Sequence, residues 1–151
     1  MTPCYIFDID GTLADCTHRL HYIQQQPKDW KSFFAAVGDD APIRHMLQLV
    51  NDLDDQEYCV NVFVSGRSDE CRGATIIWLY KHLQNGKYSN VHLYMRKQGD
   101  HRPDDIVKIE LLAQIRADGF EPIMAFEDRA SVVDAWRKAG IPCAQVVSGD
   151  F

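Results

Sequence analysis

The stretch Cys4-Tyr5-Ile6-Phe7-Asp8-Ile9-Asp10-Gly11-Thr12 decides how the chain folds. Four apolar residues run straight into two carboxylates, a glycine and a threonine. A short, wholly apolar run suits a strand buried on both faces of a parallel sheet. In such a sheet the chemistry gathers just past the carboxyl ends of the strands. The sequence therefore predicts a strand over Cys4–Phe7 with Asp8 and Asp10 at its functional end.

Similar runs follow at Cys59–Val64, Val91–Met95, Ile123–Phe126 and Cys143–Val147, with Asn61 interrupting the second. Between them lie helical patterns at Ile43–Asp54, Asp69–Gln84, Asp104–Asp118 and Ala130–Ala139. Asp69 is a candidate cap, Pro103 precedes the third helix, and Gly119 and Gly140 follow the third and fourth. Strand alternating with helix means parallel strands joined by right-handed crossovers. The expected fold is α/β, a Rossmann-like three-layer sandwich. Its five-stranded parallel sheet carries helices on both faces, with a small helical lid after strand one. The lid occupies about residues 14–42, with a short amphipathic helix near Trp30–Val37 whose packed face would be Trp30, Phe33 and Phe34. Trp78 and Trp136 are expected in the core. The chain reads as one domain over 1–151, without repeat or linker.

The topology brings four polar strand ends to one edge: Asp8-Ile9-Asp10-Gly11-Thr12, Ser65-Gly66-Arg67, Arg96 with the loop Gly99-Asp100-His101-Arg102, and Glu127-Asp128-Arg129. Residues two apart on an extended segment share a side, so Asp8 and Asp10 are expected to crowd. Crowded carboxylates raise the proton affinity of one and favour a cation beside the other. Ionised Asp8 could then attack phosphorus, and protonated Asp10 could supply a proton to the leaving oxygen. Taken alone, Asp-x-Asp-Gly also fits a turn or a calcium-binding loop.

The remaining residues decide between those readings. Mg²⁺ takes oxygen ligands and keeps several waters; Asp8, the carbonyl of Asp10 and Asp128 would supply the protein's share. Glu127 is a weaker candidate ligand. Lys108 would neutralise the phosphoryl group and Asp8, and Thr12 and Ser65 would hold phosphoryl oxygens. Gly66 would keep the approach clear, although Ser65-Gly66 alone could be a turn. Lys108 lies four residues after Asp104, which a solvated ion pair would equally explain.

Composition narrows the partners. Among 151 residues the net charge is −6, so no basic face offers itself for wrapping long nucleic acid. A grip on an end through few phosphates remains compatible. No apolar run is long enough to cross a bilayer, and the N-terminus lacks a signal-peptide pattern, so a cytoplasmic location without membrane partners is expected. Five scattered cysteines, without a Cys-x-x-Cys pair, point to reduced thiols.

Asp8-x-Asp10-Gly11-Thr12, Ser65, the helical Lys108 and the Glu127-Asp128 pair, in this order, resemble the haloacid-dehalogenase (HAD) superfamily of phosphotransferases. The resemblance covers nearly the whole chain. Arg19, Ser65-Gly66-Arg67, Gln98-Gly99-Asp100-x-Arg102-x-Asp104-Asp105-x-Val107-Lys108 and the ending Ser148-Gly149-Asp150-Phe151 are similar to the 3′-phosphatase domain of the phage polynucleotide kinase/phosphatase family. That likeness implies a Mg²⁺-dependent phosphatase, with a nucleic-acid 3′ end as substrate. It places Asp8, Asp10, Arg19, Arg67, Asp104, Lys108, Glu127 and Asp128 in the site. Glu127 stands where the phage member has aspartate. Arg19 and Arg67 would present guanidinium forks to phosphate, and Asp104 would orient arginine or lysine partners. Arg96, His101 and Arg102 are further candidate contacts. The chain has no Gly-x-x-x-x-Gly-Lys-Ser/Thr loop, so kinase activity is not expected from it. The competing expectations are a (deoxy)nucleoside monophosphatase and a non-catalytic module that binds phosphorylated ends.

Overall fold

The computed structural model describes residues 1–54, 57–83 and 91–150. The first strand, β1 (Thr2–Phe7), lies at the centre of a five-stranded sheet. It leads into a lid segment with the two-residue strands β2 (Ala14–Asp15) and β3 (Ala41–Pro42), which pair antiparallel and close the base of the lid. Between them stand two short helices, α1 (His21–Gln24) and α2 (Trp30–Ala35). Then come α3 (Arg44–Asp54), β4 (Val60–Ser68), α4 (Arg72–His82), β5 (His92–Arg96), α5 (Asp104–Ala117), β6 (Phe120–Glu127), α6 (Ala130–Lys138) and β7 (Cys143–Gln145).

The sheet order is β5-β4-β1-β6-β7, and every pairing in it is parallel. The α/β sandwich expected from the alternation of runs is the one found. Register matters for the site: Phe7 lies opposite Phe63 on one side and Phe126 on the other. The residues just past these three positions therefore emerge together at one edge.

Alternation along β1 splits the core in two. Phe7 joins Leu47, Trp78 and Leu79 on the face covered by α3 and α4. Cys4 and Ile6 join Leu112, Ile115 and Trp136 on the face covered by α5 and α6. Continuing the period of two sends Asp8 toward the α5 side. Gly119 and Gly140 follow α5 and α6 with positive φ, as helix-ending glycines do. All five cysteines are free thiols.

Several boundaries differ from the sequence reading. β6 begins at Phe120, because Pro122 is absorbed at a register shift where Cys4 pairs with Pro122 and Tyr5 with Met124. Ser68 caps the turn that leads into α4, its hydroxyl accepting from the Glu70 amide at 3.5 Å, and α4 itself starts after Cys71 without a side-chain cap. Asp69 instead accepts the Gln98 amide at 3.0 Å, and a 3-10 turn at Asp69–Cys71 precedes the helix. Gln84, where that helix was expected to end, and Phe151 lie outside the described residues. In α2, Phe33 is buried and Phe34 half-buried, but Trp30 is exposed, flanked by both phenylalanines. Among the described residues no helix is long and apolar enough to cross a membrane.

Candidate active site

The chain leaves β1 by a tight turn: the amides of Thr12, Leu13 and Ala14 all donate to the Ile9 carbonyl, at 3.1, 2.8 and 2.9 Å. This turn ends the extended geometry between Asp8 and Asp10. The Asp10 charge still raises the proton affinity of Asp8, though less than burial and Glu127 do. Each carboxylate is given its own set of cations.

Asp8 is buried and faces α5. Its Oδ1 accepts from Lys108 Nζ at 2.7 Å, and its Oδ2 accepts from the Thr12 hydroxyl at 2.9 Å. Thr12 thus spends its proton on Asp8, where a phosphoryl oxygen was expected. Lys108 donates equally closely to Glu127 Oε2, at 2.7 Å. Burial works against the lysine's charge, but Asp8 and Glu127 hold its pKa well above the ordinary value. Burial, and then the Glu127 charge, push Asp8 up to about 7 despite Lys108. Burial and the Asp8 charge push Asp128 up to about 6, and Glu127 is raised mainly by burial.

Asp8, Glu127 and Asp128 form an acidic cluster whose ligand atoms all lie within 4.8 Å of one another. Buried carboxylates whose proton affinities rise together lack positive charge, and a hard divalent cation supplies it. The donor set therefore fits Mg²⁺. The Asp10 side chain is outside this cluster, so only its carbonyl could serve as a ligand. Gly11 is needed beside it: φ is +84°, and a Cβ there would overlap the Asp128 carboxylate.

Asp10 faces the lid. Its Oδ1 accepts from Arg19 Nη2 at 2.7 Å, Arg67 Nη2 at 2.6 Å and Arg67 Nε at 3.0 Å. Burial alone would raise Asp10, but Arg67 and then Arg19 outweigh it and hold the carboxyl below its ordinary range. A protonated resting Asp10 is thus replaced by an ionised one. The two guanidinium groups, expected to face phosphate, are engaged by carboxylates. Arg19 also lies 4.3 Å over the Phe33 ring, and its buried Nη1 has no acceptor among the described residues.

The partner that organises these arginines was missed in the sequence. Asp40, fully buried, accepts from Arg19 Nε and Nη2 at 2.8 Å each, from Arg67 Nη2 at 2.9 Å, and meets His18 Nε2 at 2.7 Å. Thr75 accepts from Arg67 Nη1 at 2.9 Å. Nothing in an acidic pair at a loop end distinguishes Asp40 from surface charge. The one available signal was indirect: an arginine expected near the site needs a counter-charge if buried.

Ser65 is buried within β4, where the register with β5 shifts, and its hydroxyl oxygen accepts the Arg67 amide at 3.1 Å. Gly66 makes room for a neighbour other than substrate, since a Cβ there would overlap the Asp104 carboxylate. Asp104 binds Arg96 and lies 3.8 Å from Arg129 Nε. Arg96 is a clamp: beyond Asp104, it donates to the carbonyls of Gly66, Asp100 and Arg102 at 2.8, 3.0 and 2.6 Å. Those bonds fasten the 97–103 loop to the end of β4. Arg102 is turned outward onto Asp100 and Glu110, and His101 is exposed.

A carboxylate at the end of the central strand, a crossover-helix lysine on it and an acidic pair one strand over define a phosphoric monoester hydrolase of the HAD type. The chain matches, over residues 2–151, the model of the family described as the polynucleotide kinase PNKP phosphatase domain, and it belongs to that family. A protein of Autographa californica nuclear polyhedrosis virus, provisionally named a bifunctional polynucleotide kinase/RNA ligase, is 29% identical over 144 residues, which is 95% of this chain and 19% of the relative. A chain in a solved Pnkp1/Rnl/Hen1 complex superposes with TM-score 0.79 at 25% identity, covering 100% of this chain and 48% of its own. The class C acid phosphatase from Bacillus anthracis shares the fold, with TM-score 0.64 at 12% identity, over 97% of this chain and 68% of its own. The chain thus spans about a fifth of the viral relative and about half of the Pnkp1/Rnl/Hen1 chain.

Proposed function

We propose that this chain removes the phosphate from a nucleic-acid 3′ end through an aspartyl-phosphate on Asp8. The observation that carries the chemistry is the pairing of Asp8 with Lys108 beside Glu127 and Asp128. A carboxylate attacking an anion needs this arrangement, because the attack brings like charges together. Asp8 attacks phosphorus, and the bond from phosphorus to the ester oxygen breaks with its electron pair on that oxygen. A proton from Asp10 converts the leaving group to the alcohol. Asp10, now a carboxylate, then takes a proton from the water that attacks the phosphoaspartate, which frees phosphate and regenerates Asp8.

Asp10 rests ionised between Arg19 and Arg67, so it must gain its proton before this step. An incoming phosphate competes for the guanidinium donors, loosening their hold on Asp10 and raising its proton affinity. Ser65 and Arg19 Nη1 are the donors available to phosphoryl oxygens on that rearrangement. Mg²⁺, bound by Asp8, Asp128 and the Asp10 carbonyl, would neutralise charge on the phosphoryl group. Glu127 is better suited to holding Lys108 than to binding metal, since its Oε2 is already the lysine's acceptor.

The polynucleotide substrate is supported by family membership and by a net charge of −6, which favours gripping an end over wrapping a strand. The test compares phosphate release, with and without Mg²⁺, from 3′-phosphorylated oligonucleotides and from a panel of mononucleotides. Preference for 3′-phosphorylated ends is expected. Strong preference for 5′-mononucleotides would replace this reading with a nucleotidase, and binding without turnover would make the chain a recognition module.

A further inference from the structure

The lid carries an aromatic side chain that the reaction as derived does not use. Trp30 keeps 42% of its surface exposed, although two phenylalanines lie beside it. Phe34 stacks on it with 5.8 Å between ring centroids, and Phe33 meets it edge-on at 5.6 Å. These supports are fixed in turn. Phe33 is buried and lies 4.3 Å from the Arg19 guanidinium, and the Asp29 carboxylate caps α2 by accepting the Ser32 amide at 3.0 Å. Trp30 is therefore a supported ring that still offers open surface. Its place relative to the chemistry follows from three contacts. Trp30 meets Phe33, Phe33 meets Arg19, and Arg19 Nη2 donates to Asp10 Oδ1 at 2.7 Å. In the reaction proposed above, Asp10 gives its proton to the leaving oxygen. The nucleoside bearing that oxygen thus lies on the Asp10 side of phosphorus, toward the lid.

Charge points the same way. The chain carries a net −6, yet Trp30 stands between the exposed Lys28 and Lys31, and Lys28 Nζ lies 5.7 Å from the indole centroid. The acidic residue among them, Asp29, is occupied by its bond to the Ser32 amide. An exposed aromatic ring bordered by lysines is the combination that grips a single strand, the ring taking a base and the cations its phosphates. We propose that Trp30 is a stacking platform for a nucleobase at the 3′ end of the substrate strand, with Lys28 beside it for a phosphodiester of the same strand. The proposal rests on the 3′-end phosphatase reading and goes further by naming where the base is held. Every base has a π face, so this platform favours a strand end over a small phosphate ester without selecting a sequence.

The test deletes the base and the indole separately and together. An abasic nucleotide, placed in turn at the last and the penultimate position of a 3′-phosphorylated oligonucleotide, removes one base and keeps every phosphate. With the wild-type protein, one of these substitutions is expected to raise KM by about tenfold or more, the range of one base–aromatic stack, with kcat little changed. Trp30→Ala should raise KM for the intact oligonucleotide by a similar factor. In that variant the abasic substitution should cost nothing further, because base and indole act as one unit. The ratio of the two substrates, taken in one preparation, is independent of the fraction folded. Trp30→Phe, which keeps a ring, should restore part of the discrimination. A tryptophan with a merely structural role slows intact and abasic substrates alike and leaves their ratio at the wild-type value. That outcome overturns the proposal, as does a wild-type protein indifferent to both abasic positions. If the wild-type protein prefers 5′-mononucleotides to 3′-phosphorylated ends, the substrate reading fails first and this proposal falls with it, so the two failures are told apart.

Discussion

Lys108 Nζ lies 2.7 Å from Asp8 Oδ1, although a hundred residues separate them in the chain. The lysine is buried and compensates two carboxylates at once, Asp8 and Glu127. Lys108→Met is therefore expected to act on both catalysis and stability. Turnover should fall by about 10²–10³-fold, as when one preorganised charge on a reacting anion is removed. Breaking a buried pair by deleting one partner costs about 3–5 kcal/mol. Both carboxylates already have raised pKa values, so that loss should shrink at low pH, where protonation removes their charge. Urea unfolding at pH 5 and pH 8 measures the difference.

Asp8→Asn separates fold from chemistry in the opposite direction. The substitution removes the nucleophile, and turnover should drop by at least about 10³-fold. It also removes a charge that burial and Glu127 oppose, while Lys108 keeps Glu127 as partner. The variant should therefore melt at or above the wild-type temperature in the absence of Mg²⁺ at pH 8. Retained turnover would remove Asp8 from the role of nucleophile.

The pKa directions set the pH dependence of cation binding. Asp8 is raised to about 7 and Asp128 to about 6, from an ordinary 3.8. In the metal-free protein, the stability linked to these raised values is fully present below about pH 4 and is lost as pH rises through about 6 to 7. Mg²⁺ competes with those same protons, so its stabilisation should be largest at pH 8 and much reduced at pH 5.5. At a hundredfold excess over Kd the gain is about 2.7 kcal/mol, or roughly 5–10 °C for a chain of this size. Thermal melts across pH, with and without Mg²⁺, test this. A Mg²⁺ shift that is equal at both pH values would detach the cation from this cluster.

The parts of the site legible in the sequence were those dictated by strand periodicity. An apolar run ending in Asp8, another ending in Ser65 and a third ending in Glu127-Asp128 must meet at one edge once the strands are parallel. The lid was legible as a length of chain but not as a set of contacts. Arg19 was expected near phosphate and is found between Asp10 and Asp40, because hydrogen-bond satisfaction of a buried guanidinium depends on partners that no spacing rule connects. Arg96, Asp104 and Gly66 were read separately. In the structure they are one assembly: the Asp104 carboxylate fills the space over Gly66, and Arg96 ties both to the 97–103 loop. The charge of Asp10 raises Asp8 as expected, but burial and Glu127 do more, and the arginines that hold Asp10 ionised could not be read from spacing.

Gly11 gives the most local test of the acidic cluster. Its φ of +84° disfavours a side chain by about 1–2 kcal/mol, and the added Cβ would meet the Asp128 carboxylate itself. Gly11→Ala is thus expected to displace Asp128 while leaving Lys108 on Asp8, which approaches from α5 on another element. The expected result is a modest loss of melting temperature with a far larger loss of function. Activity should fall by more than about tenfold at fixed Mg²⁺ and recover in part at higher Mg²⁺, because weakened binding is offset by mass action. Arg102→Ala serves as the contrast, for Arg102 is exposed and its guanidinium is paired with Asp100 and Glu110. That variant should leave melting temperature and Mg²⁺ dependence unchanged, and an effect of Gly11→Ala no larger than its effect would detach Asp128 from metal binding.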